Sequence, residues 1–351
     1  MSTQDLGVAA VLAGLGGWLP PRTVDNHELS RRLDTSDEWI RTRTGIASRH
    51  VIDPGLSTVD MAVEAGDRAL RSAAATGDGG TGRGAGGTNG EAVDAVVLAT
   101  ATPDHPCPAS APQVASRLGL GAVAAFDVNA VCSGFVYALA TATGLIAAGA
   151  ARRVLLVGAD AFTTLLDPAD RGTVPIFGDG AGAMVLRAGT ADEPGAVGPF
   201  DLHSDGELAD LLMVPAGGTR CPSSEDPRDR YFSMQGPAVF RHATARMAES
   251  SRAVLDRAGW TAGDVDRFVG HQANLRILQT TAKNLGLPAD CLVTNIEHTG
   301  NTSAASIPLA MADAVADGTL SAGDRVLMTA FGAGVTWGSA LLRWPRLILA
   351  E

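Results

Sequence analysis

The stretch Val93–Val97 (VDAVV) returns as Val265–Val269 (VDRFV), 172 positions later (265 − 93). A second stretch, Arg153–Ala159 (RVLLVGA), returns at the same offset (325 − 153) as Arg325–Phe331 (RVLMTAF). In both copies the second stretch follows an Ala-rich helical pattern. Equal spacing in the two copies predicts two similar α/β halves, each with a mostly buried sheet and a buried helix.

Short apolar runs alternate with longer helical patterns along the rest of the chain, as expected for an α/β protein. The predicted strands are Val8–Leu15, Val93–Ala101, Val154–Ala159, Ala183–Leu186, Arg267–Val269 and Val326–Ala330. The predicted helices are Val59–Ala74, Ala111–Leu118, Ser133–Ala148, Val239–Ala258, Leu275–Leu285 and Ala304–Ala316. We predict an N-terminal half over residues 1–187, a C-terminal half over residues 188–351, and a surface loop over the Gly-rich tract 76–89.

The composition excludes several classes of protein. Of the 351 residues, 46% are hydrophobic and 19% are charged, which suits a large core and not a disordered chain. A net charge of −11 argues against nucleic acid as a partner, because phosphate binding needs a basic face. The uncharged stretch 128–151 is rich in Ala, Gly, Ser and Thr. It therefore predicts a helix buried in a globular core rather than a membrane span.

The four cysteines, at positions 107, 132, 221 and 291, form no CxxC pair. Neither a zinc site nor a redox dithiol is indicated, and so few cysteines in a long chain favour a reducing compartment. The segment Met1–Leu6 lacks the basic residues that begin a signal peptide. We therefore expect a cytoplasmic protein.

Cys132 lies in Asp127–Phe135 (DVNAVCSGF), between a strand and the long uncharged helix. A thiol at a helix N-terminus meets the positive end of the helix dipole, which favours the nucleophilic thiolate. The segment also fits an inert cysteine packed in the core, because cysteine is common in apolar interiors. By itself it leaves both interpretations open.

Two further polar residues lie next to parts of the sequence repeat, as Cys132 does. Position 304 (132 + 172) falls inside Gly300–Ser306 (GNTSAAS), which contains Asn301. His271 follows the repeated strand Arg267–Val269, although a lone histidine is more often structural or solvated. Related corners often meet at a pseudo-twofold axis, so Cys132, His271 and Asn301 are candidates for a nucleophile with an electrophilic or basic pair.

The stretch Phe177–Ala183 (FGDGAGA) superficially resembles a nucleotide-binding loop. It does not match GxGxxG, and Met184–Leu186 after it has the pattern of a strand. Dinucleotide binding requires a helix N-terminus at this point to hold the pyrophosphate. We predict a tight turn with close backbone packing instead.

Together these motifs resemble the β-ketoacyl-acyl carrier protein synthase III family of the thiolase superfamily, from about Val8 to Trp344. The motifs that carry the resemblance are Thr35–Ile40, Thr42–Ile46, Asp127–Phe135, Asp170–Thr173, Phe177–Ala183, His271–Arg276, Gly300–Ser306 and Phe331–Ser339. The resemblance implies an α/β protein with the thiolase-like five-layered αβαβα fold made of two duplicated halves. It also implies a homodimer without a permanently bound cofactor or metal.

The resemblance further implies a ping-pong reaction. Cys132 would take an acyl starter from acyl-coenzyme A, and the acyl-enzyme would condense with malonyl-acyl carrier protein, losing carbon dioxide, in fatty-acid or polyketide initiation. His271 and Asn301 would stabilise the enolate. The backbone N–H groups of Cys132 and of Ala333, which stands where the family has glycine, would hold the oxyanion.

Substrate and partner contacts are implied in the same way. Trp39 matches the family's adenine-stacking residue, and Arg43 and Arg171 match its coenzyme A-binding arginines. Acyl carrier proteins are acidic, so docking on a chain of charge −11 needs a local basic patch. The residues that match such a patch are Arg241, Arg276 and Lys283.

The chain departs from the family pattern at several positions. Gly270 replaces the usual proline before the catalytic histidine, which we expect to loosen that loop a little. Pro237 stands where a Gly-Asn pair commonly contacts the pantetheine, which puts that contact in doubt. Cys107 occupies a position where a bulky residue of the partner subunit often limits the acyl pocket. These departures predict a specialised starter unit, although housekeeping fatty-acid initiation stays open.

Three rival functions follow from the same residues. A non-catalytic partner of a ketosynthase pair should lack the nucleophile, whereas Cys132 is present. An acyltransferase would pass the acyl group from Cys132 to an alcohol, an amine or a carrier protein without decarboxylation, and it would have less need of Asn301. A nicotinamide oxidoreductase would need the helix that is missing after Gly182.

Overall fold

The structure, a computed structural model, describes residues 7–77 and 92–350. The strands in this part of the chain are β1 (Ala9–Trp18), β2 (Thr23–Asp25), β3 (Ser48–His50), β4 (Ala95–Ala99), β5 (Ala124–Val128), β6 (Arg153–Asp160), β7 (Gly180–Gly189), β8 (Val197–Ser204), β9 (Leu212–Met213), β10 (Ser233–Met234), β11 (Arg267–Gly270), β12 (Arg325–Gly332) and β13 (Thr336–Arg343). The helices are α1 (Asn26–Ser30), α2 (Asp37–Thr44), α3 (Thr58–Ala75), α4 (Ala111–Arg117), α5 (Gly134–Ala147), α6 (Gly236–Ala258), α7 (Leu275–Leu285), α8 (Ile296–Thr299) and α9 (Ser306–Ala316).

Two mixed sheets form the frame of the molecule. The first has the strand order β1-β7-β6-β4-β5, and the second has the order β11-β12-β13-β8. In each sheet a parallel pair, β4 with β6 or β11 with β12, continues into antiparallel neighbours. The place of β5 is taken in the second sheet by a single parallel bridge between Phe268 and Leu292. The two sheets are therefore versions of one topology.

The offset of 172 read from the sequence also relates the elements of the structure. It converts the bounds of β6 into those of β12, and the first residue of α5 into the first residue of α9. It also converts the 3₁₀ turn Val131–Ser133 into the 3₁₀ turn Ser303–Ala305. The duplication thus extends to the short turns where the candidate site residues lie.

The layers alternate as helix, sheet, helix, sheet, helix. Helices α3 and α4 cover the outer face of the first sheet, and α6, with α7 packed against it, covers the second. Helices α5 and α9 lie between the sheets and contact strands of both. This is the five-layered αβαβα fold that the family resemblance implies.

The uncharged helix α5 is the middle layer. Phe135, Leu139 and Ile146 are at most 1% exposed and share one core cluster with apolar residues of both sheets. A helix covered on two sides by sheets needs apolar and small residues around most of its circumference. The prediction of a buried helix is confirmed. Among the described residues, no helix combines the length and the apolar character needed to span a membrane.

Most predicted elements are confirmed to within a few residues. β7 begins at Gly180, so the second part of the predicted Phe177–Ala183 turn belongs to a strand. The strand expected before Cys132 is β5, for which no bounds were predicted. The prediction missed β8 and β13, whose Asp, His, Ser, Thr and Trp residues interrupt the apolar pattern. Residues 78–89 of the predicted loop lie outside the described residues. The boundary between residues 187 and 188 falls inside β7 and stays a prediction.

Candidate active site

Cys132 lies in the 3₁₀ turn Val131–Ser133 that leads from β5 into α5, and it is 6% exposed. The preceding residue, Val131, has φ 46°, and its equivalent Ser303 has φ 50°. A β-branched residue in this region is strained, so the surrounding contacts must hold the turn in place. We call the turns 131–133 and 303–305 the first and second corner. The same unusual backbone has been kept in both halves.

The two corners are packed against each other. The hydroxyl of Ser303 in the second corner lies 3.8 Å from the Cys132 Sγ. In β6, a Cβ built on Gly158 would lie 2.4 Å from the carbonyl oxygen of Ala304, so only glycine fits there. The site therefore forms where the duplicated halves meet.

One pair of equivalent positions distinguishes the corners. Asp160 at the end of β6 accepts the backbone N–H of Ala304 at 3.0 Å. The equivalents of Asp160 and Ala304 are Gly332 (160 + 172) and Cys132, and a Cβ at Gly332 would lie 2.9 Å from the Cys132 nitrogen. A carboxylate thus accepts the N–H of the second corner, whereas among the described residues no carboxylate accepts the Cys132 N–H.

Burial controls the charge of the thiol. It raises the pKa of Cys132 to about 12, because the thiolate loses water; the hydrogen bond from Ser303 opposes this, and the nearby carboxylate of Asp160 adds to it. The helix start alone predicted a favoured thiolate. Burial opposes that preference, and the raised pKa favours the thiol in the resting enzyme.

His271 directly follows β11, and its N–H donates to the Thr329 carbonyl at 2.8 Å. The imidazole is 2% exposed, and its Nδ1 lies 2.6 Å from the Ser306 Oγ. Because that oxygen already accepts the Gln272 N–H, at 3.3 Å, the serine hydroxyl is free to donate to Nδ1. We assign the proton of the neutral ring to Nε2 on this basis. Burial lowers the pKa of His271 to about 3.

Asn301 is 4% exposed and precedes the second corner. Its Oδ1 accepts the Ser303 N–H at 2.9 Å, which orients the amide. The Asn301 Nδ2 and the His271 Nε2 make no hydrogen bond to any residue in the described ranges. The segment 301–306 therefore links all three candidates, because Ser303 touches Cys132 and Ser306 holds His271.

Ala333 follows β12 and is 8% exposed. It is not among the described non-glycine residues with positive φ, so alanine replaces glycine here without backbone strain. The neighbouring Gly332 brings this turn against the first corner. The backbone N–H of Ala333 therefore lies in the same small region as the backbone N–H of Cys132.

The half-buried Trp39 and the exposed Arg43 and Arg171 form one cluster. The guanidinium carbons of Arg43 and Arg171 lie 5.6 Å and 5.2 Å from the Trp39 ring centroid. Arg171 also pairs with the exposed Asp34 at 2.8 Å. An aromatic ring between two arginines suits a nucleotide base and its phosphates.

The three basic residues of the expected docking patch lie on α6 and α7 and are exposed. The guanidinium carbon of Arg276 lies 5.8 Å from the ring centroid of Phe240, the residue before Arg241. Lys283 is two helical turns further along α7 from Arg276. None of the three forms an ion pair with a residue in the described ranges.

The structure shows where three departures from the family pattern lie. Cys107 is exposed, in the loop that follows β4. Pro237 lies in the first turn of α6, where proline fits a helix. A Cβ at Gly270 would lie 2.4 Å from Leu278, so that leucine fills the space beside it. Gly270 is paired within β11, and the expected loosening stays a prediction.

Sequence reasoning missed several residues of the site. Asp160 and Ser306 were not singled out, although the first ends the repeated strand and the second ends the quoted GNTSAAS motif. The sequence did distinguish Asp160, because the equivalent position in the second copy is Gly332. Nothing in the sequence marked the contact between Ser306 and His271.

Comparison with known proteins identifies the family. The profile described as 3-Oxoacyl-[acyl-carrier-protein (ACP)] synthase III matches residues 126–206, and its C-terminal counterpart matches residues 255–344. Beta-ketoacyl-[acyl-carrier-protein] synthase III 3 of Streptomyces coelicolor is 57% identical over 340 residues, covering 96% of this chain and 98% of that protein. The chain belongs to the β-ketoacyl-acyl carrier protein synthase III family.

Solved structures agree with this synthase III assignment. The 3-oxoacyl-(acyl carrier protein) synthase III of Pseudomonas aeruginosa PAO1 matches with a TM-score of 0.87 and 50% identity, covering 97% of this chain and 99% of that one. The priming β-ketosynthase of the R1128 polyketide pathway matches at 0.85 and 36%, covering 96% of each chain. The protein is an acyltransferase of the condensing type.

The buried environment of His271 makes a prediction about its charge. We expect the ring to stay neutral, with its proton on Nε2, between about pH 5 and 8, because its lowered pKa lies below that range. Nitrogen-15 NMR of histidine-labelled protein should show no titration of this ring. The hydrogen bond to Asp313 raises the pKa of His298, which serves as the titrating control. Protonation of His271 near pH 6.5 would contradict the prediction.

Proposed function

We propose that this synthase III transfers an acyl starter from acyl-coenzyme A to Cys132 and condenses it with malonyl-acyl carrier protein to a 3-ketoacyl product. The observation that carries the proposal is the segment 301–306, which connects the thiol to His271 and Asn301, each with a nitrogen that makes no hydrogen bond to the described part of the chain. The same function is the one expected from the sequence motifs.

In the first half-reaction the Cys132 Sγ attacks the thioester carbonyl. A carbon–sulfur bond forms to the enzyme, the bond to coenzyme A breaks, and the thiol proton leaves with coenzyme A. Negative charge develops on the carbonyl oxygen on the way. The backbone N–H groups of Cys132 and Ala333 are proposed to hold it, which the side-chain-free Gly332 supports.

In the second half-reaction the malonyl group loses carbon dioxide, and the electron pair of the broken bond forms an enolate. The Nε2–H of His271 and the amide of Asn301 hold the enolate oxygen. The carbanion then forms a carbon–carbon bond with the acyl carbonyl and releases the Cys132 thiolate, which takes a proton from water. Neutral His271 suits this role, because it donates a hydrogen bond without carrying a charge into the buried site.

The cluster around Trp39 is proposed to receive coenzyme A. The adenine would stack on the indole, and the phosphates would pair with Arg43 and Arg171. Asp34 already pairs with Arg171, so a phosphate would compete with that carboxylate. The reaction needs no resident cofactor or metal, because Cys132 supplies the nucleophile and main-chain and side-chain donors hold the charge.

We infer a homodimer formed along β5. This strand is the edge of the first sheet, and its residues from Ala125 to Val128 are only half-buried, whereas every residue of β4 is buried. Unpaired edges with partly exposed apolar residues favour association. We place the protein in the cytoplasm with its carrier-protein partner, without a nucleic acid or membrane partner.

The two main functions differ in their use of Asn301. Acyl transfer to an alcohol or amine develops no enolate, so it would not need the oriented amide. A non-catalytic subunit would not need the packed surroundings of Cys132. A relative named beta-ketoacyl-[acyl-carrier-protein] synthase III and the priming ketosynthase of a polyketide pathway both match, so the proposal covers fatty-acid and polyketide initiation.

The first test separates the two half-reactions. Cys132→Ala should abolish acylation. His271→Ala and Asn301→Ala should reduce condensation by about 10²-fold or more and spare acylation, because the enolate charge that these two residues stabilise appears only after decarboxylation. Intact-mass detection of acyl-Cys132 over a panel of acyl thioesters measures the first step. Release of carbon dioxide from malonyl-acyl carrier protein measures the second.

His242→Ala is the matched control, because His242 lies on the outer helix α6. It should leave both steps unchanged. Wild-type malonyl decarboxylation by Asn301→Ala would contradict the condensing role, and the acyltransferase function would take its place.

The second test concerns the starter. We propose that Cys107 of the partner subunit ends the acyl pocket and leaves room there, so starters bulkier than acetyl are preferred. Each additional buried methylene contributes about 0.8 kcal/mol. Cys107→Phe should shift the ratio of kcat/KM values toward acetyl-coenzyme A, whereas Cys221→Phe, at another cysteine that is not fully buried, should not. A wild-type enzyme that uses acetyl best, with no response to Cys107→Phe, contradicts the proposal.

The third test concerns carrier docking on Arg241, Arg276 and Lys283. Arg241→Glu with Arg276→Glu should raise the KM for malonyl-acyl carrier protein several-fold and leave acylation by acyl-coenzyme A almost unchanged. Added salt should weaken the wild-type carrier reaction, because exposed charges are screened within about 8–10 Å at physiological ionic strength.

A control with the same charge change is Arg152→Glu with Arg343→Glu. Both residues are exposed. Arg152 precedes the first residue of β6, and Arg343 pairs with the first residue of β12. His271 follows the last residue of β11, which is parallel to β12, so it lies at the opposite end of that sheet. This pair should not change the KM. Equal losses with both substrates after the Arg241 and Arg276 changes would point to damage of the fold instead of a docking patch.

A further inference from the structure

Two hydroxyl groups connect the first corner to the turn that carries Ala333. The Ser133 Oγ lies 2.5 Å from the Thr336 Oγ1 and 3.0 Å from the Ala130 carbonyl oxygen. The Thr336 Oγ1 lies 3.2 Å from the Ala333 carbonyl oxygen. Ser133 and Thr336 are 203 residues apart in the chain, so this hydroxyl bridge joins the two halves.

The backbone on both sides of the hydroxyl bridge is strained. Val131 has φ 46° in the first corner, and buried Val335 has φ 38° in the turn after Ala333. Strain of this kind persists only where surrounding contacts determine the conformation. Two hydroxyl protons suffice for a chain in which Ser133 donates to Thr336 and Thr336 donates to the Ala333 carbonyl. That chain fixes the two strained segments relative to each other.

The duplication shows which part of the bridge the fold itself requires. Thr164, equivalent to Thr336 (336 − 172), donates to the Ala161 carbonyl at 2.7 Å, and Ala161 is equivalent to Ala333. The equivalent of Ser133 is Ala305 (133 + 172), which has no hydroxyl. The second corner thus forms the same 3₁₀ turn without the serine. The threonine contact belongs to the fold, and the serine is an addition on the side of the nucleophile.

We propose that Ser133 is a positioning residue that, through Thr336, sets the spacing of the Cys132 and Ala333 backbone N–H groups for the oxyanion. The inference rests on the proposed function, because it assigns those two groups to the acyl carbonyl. Both acylation and carbon–carbon bond formation pass through that oxyanion. Malonyl decarboxylation uses His271 and Asn301 instead, so the hydroxyl bridge should affect some steps and not others.

The experiment measures single-turnover acylation of Cys132 by intact mass, and decarboxylation of malonyl-acyl carrier protein by the unacylated enzyme. Ser133→Ala should lower the acylation rate at saturating acyl-coenzyme A about tenfold, less than the roughly 10²–10³-fold loss for removing a donor outright. The acyl-coenzyme A concentration giving half the maximal rate, and the decarboxylation rate, should change less than about twofold.

Variants of the two threonines complete the design. Thr336→Val should match Ser133→Ala, and the double variant should be no slower than the slower single one, because both break the same chain. Thr336→Ser keeps the hydroxyl and should recover most of the rate. Thr164→Val removes the equivalent contact in the other half and is the control for general loosening, with an unchanged acylation rate expected.

Several results would overturn the inference. They are wild-type acylation by Ser133→Ala, an equal loss of decarboxylation, or an equal effect of Thr164→Val. Absence of acyl-Cys132 in the wild-type enzyme would instead refute the proposed function and this inference with it. Ala305 shows that the turn tolerates alanine, so a folded Ser133→Ala variant is expected, and Thr336→Val tests the chain independently.

Discussion

The contact between the two corners is the constraint on which the site depends. Gly158 allows the Ala304 carbonyl to approach β6, and Asp160 at the end of that strand binds the Ala304 N–H. Neither half could place Asn301 and His271 beside a nucleophile by itself, because Cys132 belongs to the other half. The central helices α5 and α9 begin at these corners, so the five-layered packing and the chemistry share one origin.

Duplication gives the molecule two similar corners, and small differences between them separate scaffold from function. The first corner has Cys132, Ser133 and an opposing Gly332, whereas the second has Ala304, Ala305 and an opposing Asp160. Asp160 satisfies the backbone of the second corner and so stabilises the turn that orients Asn301. At the equivalent position Gly332 has no carboxylate, which leaves the Cys132 N–H for the proposed oxyanion. One ancestral geometry thus serves for support in one copy and for chemistry in the other.

Burial sets the resting electrostatics of the site. It raises the pKa of Cys132 and lowers that of His271, so both groups rest uncharged in a region that excludes water. An uncharged pair avoids the cost of isolated buried ions. In the proposed reaction, charge arises only when a substrate is present, and the hydrogen-bond donors of the site would stabilise it. The charged residues that are proposed to bind coenzyme A and the carrier protein, such as Arg171 and Arg276, lie on the exposed surface.

The sequence by itself determined the duplication, most strands and helices, the family resemblance and the candidates Cys132, His271 and Asn301, because repeats and motifs are local patterns. It could not determine the raised pKa of the Cys132 thiol, since that shift comes mainly from burial in the assembled core. Nor could it show Ser306 on His271 or Ser133 on Thr336, because residues 35 and 203 positions apart meet only after the sheets pack. Desolvation and long-range hydrogen bonding are properties of the assembled core, and only the tertiary structure decided them.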